Sequence, residues 1–199
     1  MLIAIEGIDG VGKTSVAKML AADLGFEFVE KALKSAFGLS NNDYVEQREA
    51  LKKYANNDSN VLAWFFGLTN LLCALGSNLN NVVADRYITT NFFWYGEPFN
   101  STIYRSILEA GTTPFLTVVL DADNQTVRNR ILNRNGSDAE KQKDLEKARL
   151  ADAFVGKVEP FLKENNLDYI IIDTKENDVP SVVAIIKENL KKIEDEQRG

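Results

Sequence analysis

The residues with the clearest chemical capacity lie near the start of the chain, where three glycines, a lysine and a threonine follow a short apolar run. The segment reads Gly7-Ile8-Asp9-Gly10-Val11-Gly12-Lys13-Thr14-Ser15. This spacing is that of a P-loop, in which glycines let the backbone turn tightly and present bare amides to phosphates. Lys13 adds a cation for the β- and γ-phosphates, and the Thr14 hydroxyl is a hard oxygen ligand for Mg²⁺. The nine residues are therefore predicted to bind a nucleoside triphosphate.

The flanks of this segment provide the structural context that a P-loop needs. Residues 2–5 form an apolar run typical of a strand, and residues 16–24 carry an amphipathic helical pattern. A helix that begins at about Lys13 directs its positive end toward the bound anion. A glycine-rich strand-to-helix turn without a ligand is the alternative interpretation.

A second pair of chemical groups, Asp85-Arg86, ends another apolar run at residues 81–85. Phosphoryl transfer depends mainly on positioning and on charge neutralisation. It needs a carboxylate near Mg²⁺ or the attacking hydroxyl, and an arginine near the transferred phosphate. Asp85 and Arg86 suit these roles if their strand lies beside the P-loop strand, and Asp85 is then expected to share the metal with Thr14. An ion pair without a catalytic role is the other interpretation.

Cations are concentrated after the fourth apolar run, and they comprise Arg128, Arg130, Arg134, Lys141 and Lys143. On a continuous helix, Arg130 and Arg134 lie on one face, and Gly136 next to them allows the segment to close. Residues of about 134–147 are therefore predicted to form a lid that brings Arg130 and Arg134 onto the transferred phosphate. An ordinary solvated helix face is the alternative.

Aromatic side chains cluster in two places, and they comprise Trp64, Phe65, Phe66, Phe92, Phe93 and Trp94. Aromatic runs usually belong to the hydrophobic core. Phe65 and Phe66 are the candidates for stacking against a nucleobase.

Five apolar runs alternate with helical patterns along the chain, at residues 2–5, 26–29, 81–85, 115–120 and 169–172. Because the runs lack a period of two, they indicate a parallel sheet that is covered on both faces. The predicted fold is a three-layer α/β/α sandwich with a five-stranded parallel sheet, of the P-loop kinase type, and residues 1–199 are expected to form a single domain. A single long charged helix is expected from about residue 138 to residue 164.

Acidic residues end four of these runs, and they are Glu6, Glu30, Asp85 and Asp121. Ligands of such folds bind beyond the carboxyl ends of the strands. The acids are therefore expected at the binding edge of the sheet.

The composition limits the partners of the protein. The 199 residues carry a net charge of −6, so a broad basic surface for a nucleic-acid polymer is not expected, and the partner is predicted to be a small molecule. The chain contains no histidine, which excludes histidine-based acid–base chemistry and histidine metal sites. The longest apolar segment, residues 61–75, is too short to span a bilayer. Without a signal-peptide pattern at the start, a cytoplasmic location is expected.

The P-loop segment, Asp85-Arg86-Tyr87 after a buried strand, and the arginine-bearing segment before a long helix together resemble the thymidylate kinase family. The resemblance implies transfer of the γ-phosphoryl group from Mg-ATP to the 5′-phosphate of dTMP by a homodimer. It also implies that Asp9 lies near the sugar of the acceptor, that Arg86 lies on the acceptor phosphate, and that Arg130 and Arg134 belong to the lid.

The sequence departs from this family on the acceptor side. Glu30-Lys-Ala-Leu33 stands where the family has an Arg-x-Pro-Gly-Gly segment that grips the acceptor phosphate, and residues 64–70 lack the Arg and Gln that contact thymine. Deoxynucleoside kinases, which are similar in fold, have a Glu at the end of the second strand as general base for a 5′-hydroxyl. Glu30 occupies that kind of position. A deoxynucleoside kinase is therefore the alternative enzyme.

The sequence thus predicts an ATP- and Mg²⁺-dependent kinase of a deoxynucleoside monophosphate, dTMP-like. Its expected catalytic residues are Lys13, Asp85, Arg86, Arg130 and Arg134. Its expected substrate contacts are Asp9, Glu30, Phe65, Phe66 and Arg86. A nucleotide-binding module without turnover is the alternative of another class.

Overall fold

The computed structural model describes residues 1–75 and 81–198. It contains a five-stranded sheet in which every pairing is parallel. The strands are β1 (Leu2–Glu6), β2 (Glu27–Glu30), β3 (Val82–Asp85), β4 (Leu116–Asp121) and β5 (Tyr169–Asp173). Their order across the sheet is β2-β3-β1-β4-β5. The predicted α/β fold with a five-stranded parallel sheet is confirmed.

Helices connect the strands. They are α1 (Lys13–Leu24), α2 (Ala32–Ala36), α3 (Asn41–Tyr54), α4 (Ser59–Leu75), α5 (Ile88–Tyr95), α6 (Ser101–Ile107), α7 (Asn124–Asn133), α8 (Asp138–Ala148), α9 (Ala151–Glu164) and α10 (Val179–Arg198). A 3₁₀ turn at Pro98–Asn100 and a π-helical turn at Leu108–Thr112 complete the described elements. In the part of the chain that the structure describes, no helix is long and apolar enough to cross a membrane.

The core lies on both sides of the sheet. Ile3, Ala4 and Ile5 of β1 are completely buried, although successive side chains of a strand point to opposite faces. α1 packs on α10 and β3, whereas α5 packs on α9, which contacts β4. Burial on both faces explains why the central strands are continuous apolar runs.

The strand order brings the predicted chemical groups to one edge of the sheet. β1, which leads into the P-loop, lies directly beside β3, and Ile5 is in register with Asp85. Glu30 at the end of β2 is in register with Asp85 from the other side. The neighbouring positions of the P-loop and Asp85-Arg86, on which their predicted cooperation depends, are therefore confirmed.

The predicted long charged helix is wrong, because the segment forms two helices. α8 ends at Ala148 and α9 begins at Ala151, and Leu150 between them has φ −95° and ψ 4°. The turn lets both Ala148 and Ala151 be buried, while Leu150 is exposed. α8 is thus a separate short helix, and its position is set by its own contacts.

Candidate active site

The turn from β1 to α1 has the backbone that a phosphate-binding loop requires. Gly7 has a φ of +141°, and a Cβ added there would lie 2.6 Å from the carbonyl oxygen of Leu120. Gly12 has a φ of +103° and precedes α1, so it offers no side chain to cap the first amides of the helix. Those amides remain suited to bind an anion.

Side chains of the loop divide between the core and the site. Ile8 and Val11 are buried beneath the loop, whereas Thr14 and Ser15 are exposed in the first turn of α1. Gly10, with a φ of +93°, packs against α7 through Val127 and Ile131. The loop is therefore anchored by its apolar residues, and the hydroxyl residues Thr14 and Ser15 face outward.

Lys13 is buried inside the loop, and its Nζ donates a 2.6 Å hydrogen bond to the carbonyl oxygen of Ile8. Burial, followed by the positive charge of Arg86, lowers the pKa of Lys13 to about 8, although Asp9, Asp85 and Glu6 oppose the shift. A phosphate chain on the loop amides would supply negative charge and raise this pKa again. Lys13 is therefore positioned as a cation whose charge depends on its ligand.

Thr14 and Asp85 meet across the two neighbouring strands. The Thr14 hydroxyl donates a 2.5 Å hydrogen bond to Asp85 Oδ2. Within the described residues, Asp85 Oδ1 is buried and has no hydrogen-bond partner. A buried carboxylate oxygen without a partner is costly unless a ligand satisfies it.

These two groups fit a magnesium ion of the type that nucleotides carry. Such ions are held by one or two protein oxygens, by phosphate oxygens and by water. Among residues 1–75 and 81–198, no group of three or more His, Cys, Asp or Glu side chains is arranged to hold a metal. A site for a metal held by protein ligands alone is thus not found in that part of the chain, and Thr14 with Asp85 suits a metal that arrives with phosphates.

Asp9 is the centre of a charged group at the entrance of the P-loop. Its Oδ1 accepts a hydrogen bond from Arg86 Nη2, and its Oδ2 accepts one of 3.0 Å from Lys147 Nζ. Burial raises the pKa of Asp9, but Arg86, Lys13 and Lys147 outweigh this effect and hold the pKa well below its usual range. Asp9 is therefore ionised, and it fixes two cations from different parts of the chain beside the loop.

Glu6, one of the predicted strand-end acids, has a structural role. Its carboxylate accepts hydrogen bonds from the backbone amides of Thr89 (3.0 Å) and Thr90 (3.1 Å) and from the Thr90 hydroxyl (2.5 Å). It thereby caps α5, which begins directly after Asp85-Arg86-Tyr87. Arg86 has a left-handed backbone, with a φ of +75°. The Glu6 cap helps to hold this unusual turn in place.

The prediction that Arg130 and Arg134 share one helical face is wrong. α7 ends at Asn133, and Arg134 has an extended backbone with φ −80° and ψ 158°. Arg130 donates to the Thr174 hydroxyl (2.9 Å), the Thr174 carbonyl (2.6 Å) and the Val11 carbonyl (3.4 Å). Arg134 instead pairs with Asp144 of α8. Arg130 therefore lies beside the P-loop, whereas Arg134 is bound to the predicted lid.

Lys147 is the site residue that sequence reasoning missed. It lies at the end of the segment 134–147 and contacts both Asp9 and Asp144. Its spacing from Lys143 places both lysines on one face of α8, but that pattern is common on solvated helices. No local signal connects it with Asp9, which is 138 residues away.

The remaining predicted substrate contacts lie on the β2 and α4 side. Glu30 forms an ion pair of 2.9 Å with Lys31, and both side chains are partly exposed. The ring of Phe66 stacks on Tyr95 with a centroid distance of 5.1 Å, and Phe65 contacts Phe66 edge to face. The other aromatic cluster packs into the core as expected, with Phe92 on Phe161 and Phe93 on Phe154.

A family model described as an AAA domain matches residues 3–151. The chain belongs to this AAA-domain family. The matched residues include the P-loop, Asp85, Arg86 and Lys147, so all the groups that converge at Asp9 lie within the AAA-domain match.

Curated relatives of this AAA-domain chain are nucleotide kinases by name. Over 153 residues it is 29% identical to a probable thymidylate kinase of Metallosphaera sedula, and the match covers 74% of this chain and 75% of that protein. It is 43% identical over 49 residues to a putative adenylate kinase of Thermococcus gammatolerans, covering 23% of this chain and 28% of that protein. The resemblance to thymidylate kinases that the sequence predicted is confirmed by the longer match.

Solved structures share the fold over nearly the whole chain. Deoxyadenosine kinase from M. mycoides with bound dATP has a TM-score of 0.64 and 20% sequence identity, and the match covers 96% of this chain and all of that one. The same enzyme with the product dCMP and a flexible dCDP has a TM-score of 0.63 at 20% identity and the same coverage. At this identity, the likeness establishes a kinase-like P-loop fold.

Proposed function

We propose that this protein is a kinase that transfers the γ-phosphoryl group of ATP to the 5′-phosphate of a deoxynucleoside monophosphate, dTMP-like. Nucleotide or nucleoside kinase of the P-loop type is the class that the relatives and the fold support. The choice of a monophosphate as acceptor is the finer part of the proposal, and it depends on the charges beside the P-loop.

The observation that carries the choice is that three cations gather at Asp9. This single carboxylate contacts both Arg86 and Lys147, and Lys13 lies close enough to lower its pKa. Cations gathered at one point suit an acceptor that brings its own negative charge, because two phosphates must approach each other before transfer. A neutral nucleoside would bring no charge for these cations to bind.

Each residue then has a defined part in the reaction. The loop residues 7–15 bind the ATP phosphates, and Lys13 neutralises the β- and γ-phosphates. Mg²⁺ would be held by Thr14 and Asp85 together with phosphate oxygens, and it would neutralise charge on the transferred group. Arg86 binds the acceptor phosphate, and Asp9 orients Arg86.

The two arginines assigned to the predicted lid would both stabilise the transferred phosphate, from different positions. Arg130, beside the Val11 carbonyl, stabilises charge on the transferred phosphate. Arg134 does the same after it leaves Asp144, when residues 134–147 close over the nucleotides. Residues 1–199 would act as one kinase domain in the cytoplasm, where ATP and deoxynucleotides are available.

The alternative is a deoxynucleoside kinase with Glu30 as the general base. One observation favours it: Glu30 is in register with Asp85 on the neighbouring strand and therefore lies at the same edge of the sheet. Against it, Lys31 lies 2.9 Å from Glu30 Oε1 and competes with an acceptor hydroxyl for the carboxylate. A base for a 5′-hydroxyl must have a free oxygen within hydrogen-bond reach of that hydroxyl.

A homodimer is part of the same proposal. An exposed apolar stripe on α4 supports it, because Val61, Trp64 and Leu68 follow the i, i+3, i+7 spacing and are 42%, 49% and 44% exposed. Large apolar side chains that share one helix face often mark a contact with another protein. A second copy of α4 would cover the stripe with matching apolar residues.

The test of the enzyme is acceptor-dependent release of ADP from Mg-ATP. We expect turnover with dTMP, and at most weak turnover with thymidine. Turnover with thymidine alone would overturn the monophosphate and favour Glu30 as base. ATP binding without turnover on any deoxynucleoside or deoxynucleoside monophosphate would instead indicate a nucleotide-binding module.

A further inference from the structure

The helix α8 is held over the site at two points by two lysines on one of its faces. Lys147 contacts Asp9 at 3.0 Å, and Lys143, one turn earlier, contacts Glu49 of α3 at 3.5 Å. These contacts join α8 to the P-loop on one side and to α3 on the other. The position of Lys147 is therefore set by long-range contacts that involve three separate segments of the chain.

The contact with α3 is reinforced by further charges. Glu49 Oε1 also accepts hydrogen bonds from Arg48, at 2.7 Å from Nη2, and lies 3.7 Å from Lys52 Nζ. Burial lowers the pKa of Lys52, and Arg48, Lys143 and Lys147 lower it further, although Glu49 opposes them. Positive charge is thus crowded where α3 and α8 meet.

Both cations that contact Asp9 are accessible to an arriving ligand. The Lys147 side chain is 34% exposed and that of Arg86 is 37% exposed, whereas the Asp9 side chain between them is 16% exposed. Asp9 already has Arg86 as a partner, so its single negative charge is shared by two cations. An arriving phosphate can therefore draw Lys147 from Asp9 without leaving Asp9 unpaired, because the ion pair between Asp9 and Arg86 remains.

We propose that Lys147 binds the phosphate of the acceptor, and that the Lys143–Glu49 contact positions α8 so that Lys147 reaches it. The inference rests on the proposed function, because it requires a monophosphate acceptor. It assigns to a lysine of α8 the cationic role in the lid for which the sequence had indicated only arginines. A lysine suits this role because its ammonium is a compact cation with rotatable donors that tracks a moving phosphate.

The experiment measures how much the phosphate contributes to acceptor affinity. Dissociation constants of dTMP and thymidine are measured by calorimetry for the wild-type protein, Lys147→Gln, Lys147→Arg and Lys141→Gln. Lys141→Gln removes the same charge from α8, at a residue that contacts the Leu132 carbonyl rather than Asp9. The readout is the thymidine-to-dTMP ratio of dissociation constants, which cancels effects on the sugar and base.

We expect Lys147→Gln to reduce this ratio by about 10- to 100-fold, the loss typical of one charged hydrogen bond. Lys147→Arg should keep the ratio within about threefold of the wild-type value, as should Lys141→Gln. If Lys147→Gln keeps the wild-type ratio and still prefers dTMP, the role of Lys147 is overturned while the proposed function stands. A wild-type protein that does not prefer dTMP over thymidine would overturn the proposed function instead.

A positioning role for Lys143 is tested in the same way with Lys143→Met. We expect the ratio to fall by about 2- to 5-fold, because the ion pair joins two exposed side chains and is therefore weak. The preference for dTMP that remains should still depend on Lys147. The double variant Lys143→Met/Lys147→Gln should therefore lose little more than Lys147→Gln does. Fully multiplicative losses would show that Lys143 acts independently of Lys147.

Discussion

The hydroxyl of Thr14 at the start of α1 donates a 2.5 Å hydrogen bond to Asp85 Oδ2 at the end of β3, 71 residues away in the chain. The bond is formed because β3 lies directly beside β1, so that the P-loop and the end of β3 open to the same edge of the sheet. The second carboxylate oxygen of Asp85 is buried and unpartnered within the described residues. This pair is the part of the site best suited to Mg²⁺.

Asp85→Asn is expected to weaken the use of Mg²⁺ while preserving the fold. The amide keeps an oxygen for Thr14 but removes the negative charge that a divalent cation requires. We expect the Mg²⁺ concentration for half-maximal ADP release to rise at least about tenfold and kcat to fall by about 10²-fold. Asp173→Asn, at the end of β5, is the matched control because Asp173 is exposed and belongs to another strand. Unchanged magnesium dependence in Asp85→Asn would contradict the metal assignment.

ATP affinity is expected to fall as the pH rises above about 8. Burial lowers the pKa of Lys13 to about 8, so Lys13 of the free protein loses its charge above that pH. ATP binding then requires Lys13 to take up a proton again. The loss approaches tenfold per pH unit. Calorimetry in two buffers of different ionisation enthalpy, between pH 7 and 9, measures both the affinity and the proton uptake.

Lys13→Arg is the control for this titration, because an arginine keeps its charge throughout the range. Its ATP affinity is expected to be independent of pH, whatever its absolute value. For the wild-type protein alone, the free energy of unfolding should increase from about pH 8 to about pH 10.4, since the unfolded lysine binds the proton that the folded one has released. A flat wild-type profile in both measurements would contradict the lowered pKa.

Glu30→Gln separates the two kinds of acceptor. A general base at this position contributes about 10²- to 10⁴-fold to the rate, whereas transfer to a phosphate does not need it. Under the proposed function, kcat for dTMP should change by less than about threefold. Glu27→Gln, an exposed residue of the same strand, serves as the control. A loss of 10²-fold or more in Glu30→Gln alone would favour the deoxynucleoside kinase.

Asp9→Asn is expected to destabilise the protein at neutral pH and not at acid pH. Arg86, Lys13 and Lys147 hold the pKa of Asp9 well below its usual range despite burial, which raises it. The carboxylate therefore stabilises the fold above the unfolded pKa of about 3.9, and this contribution is lost as the pH falls below that value. We expect a loss of about 2 kcal/mol at pH 7 by urea unfolding, and a much smaller one near pH 3.

The control for Asp9 is Asp23→Asn, which breaks an ion pair of 3.0 Å with Lys187 between two largely exposed side chains. Exposed pairs contribute less than about 1 kcal/mol. If both variants lose the same free energy of unfolding at pH 7, the pairing of Asp9 with Arg86 and Lys147 stabilises the fold no more than an exposed ion pair does.

Trp64→Glu tests the homodimer. A charge in the middle of the α4 stripe should prevent a second copy from covering it, since an unpaired charge in an apolar contact is costly. By light scattering, the wild-type protein is expected to elute as a dimer and Trp64→Glu as a folded monomer with an unchanged circular-dichroism spectrum. Tyr54→Glu changes another exposed aromatic, at the end of α3, and should stay dimeric. A monomeric wild-type protein would overturn the proposal.

The sequence alone determined the loop, the sheet and the residues that end its central strands. Glycine spacing and apolar runs are local properties, and the rules for parallel sheets then bring Thr14, Asp85 and Glu30 to one edge. The same local reasoning identified the family resemblance, because its motifs are short and contiguous. It also identified the lid segment of about residues 134–147, which contains most of α8.

Only the tertiary structure decided which cations of that segment face the P-loop. Arg134 looked equivalent to Arg130 by helical spacing, yet α7 ends one residue before it, and its side chain pairs with Asp144. Lys147 had no distinguishing pattern, yet it contacts Asp9. The ion pair joins residues 138 positions apart, and it depends on how α8 packs once the chain breaks at Leu150 to separate α8 from α9. That packing is a property of the whole core rather than of any local stretch.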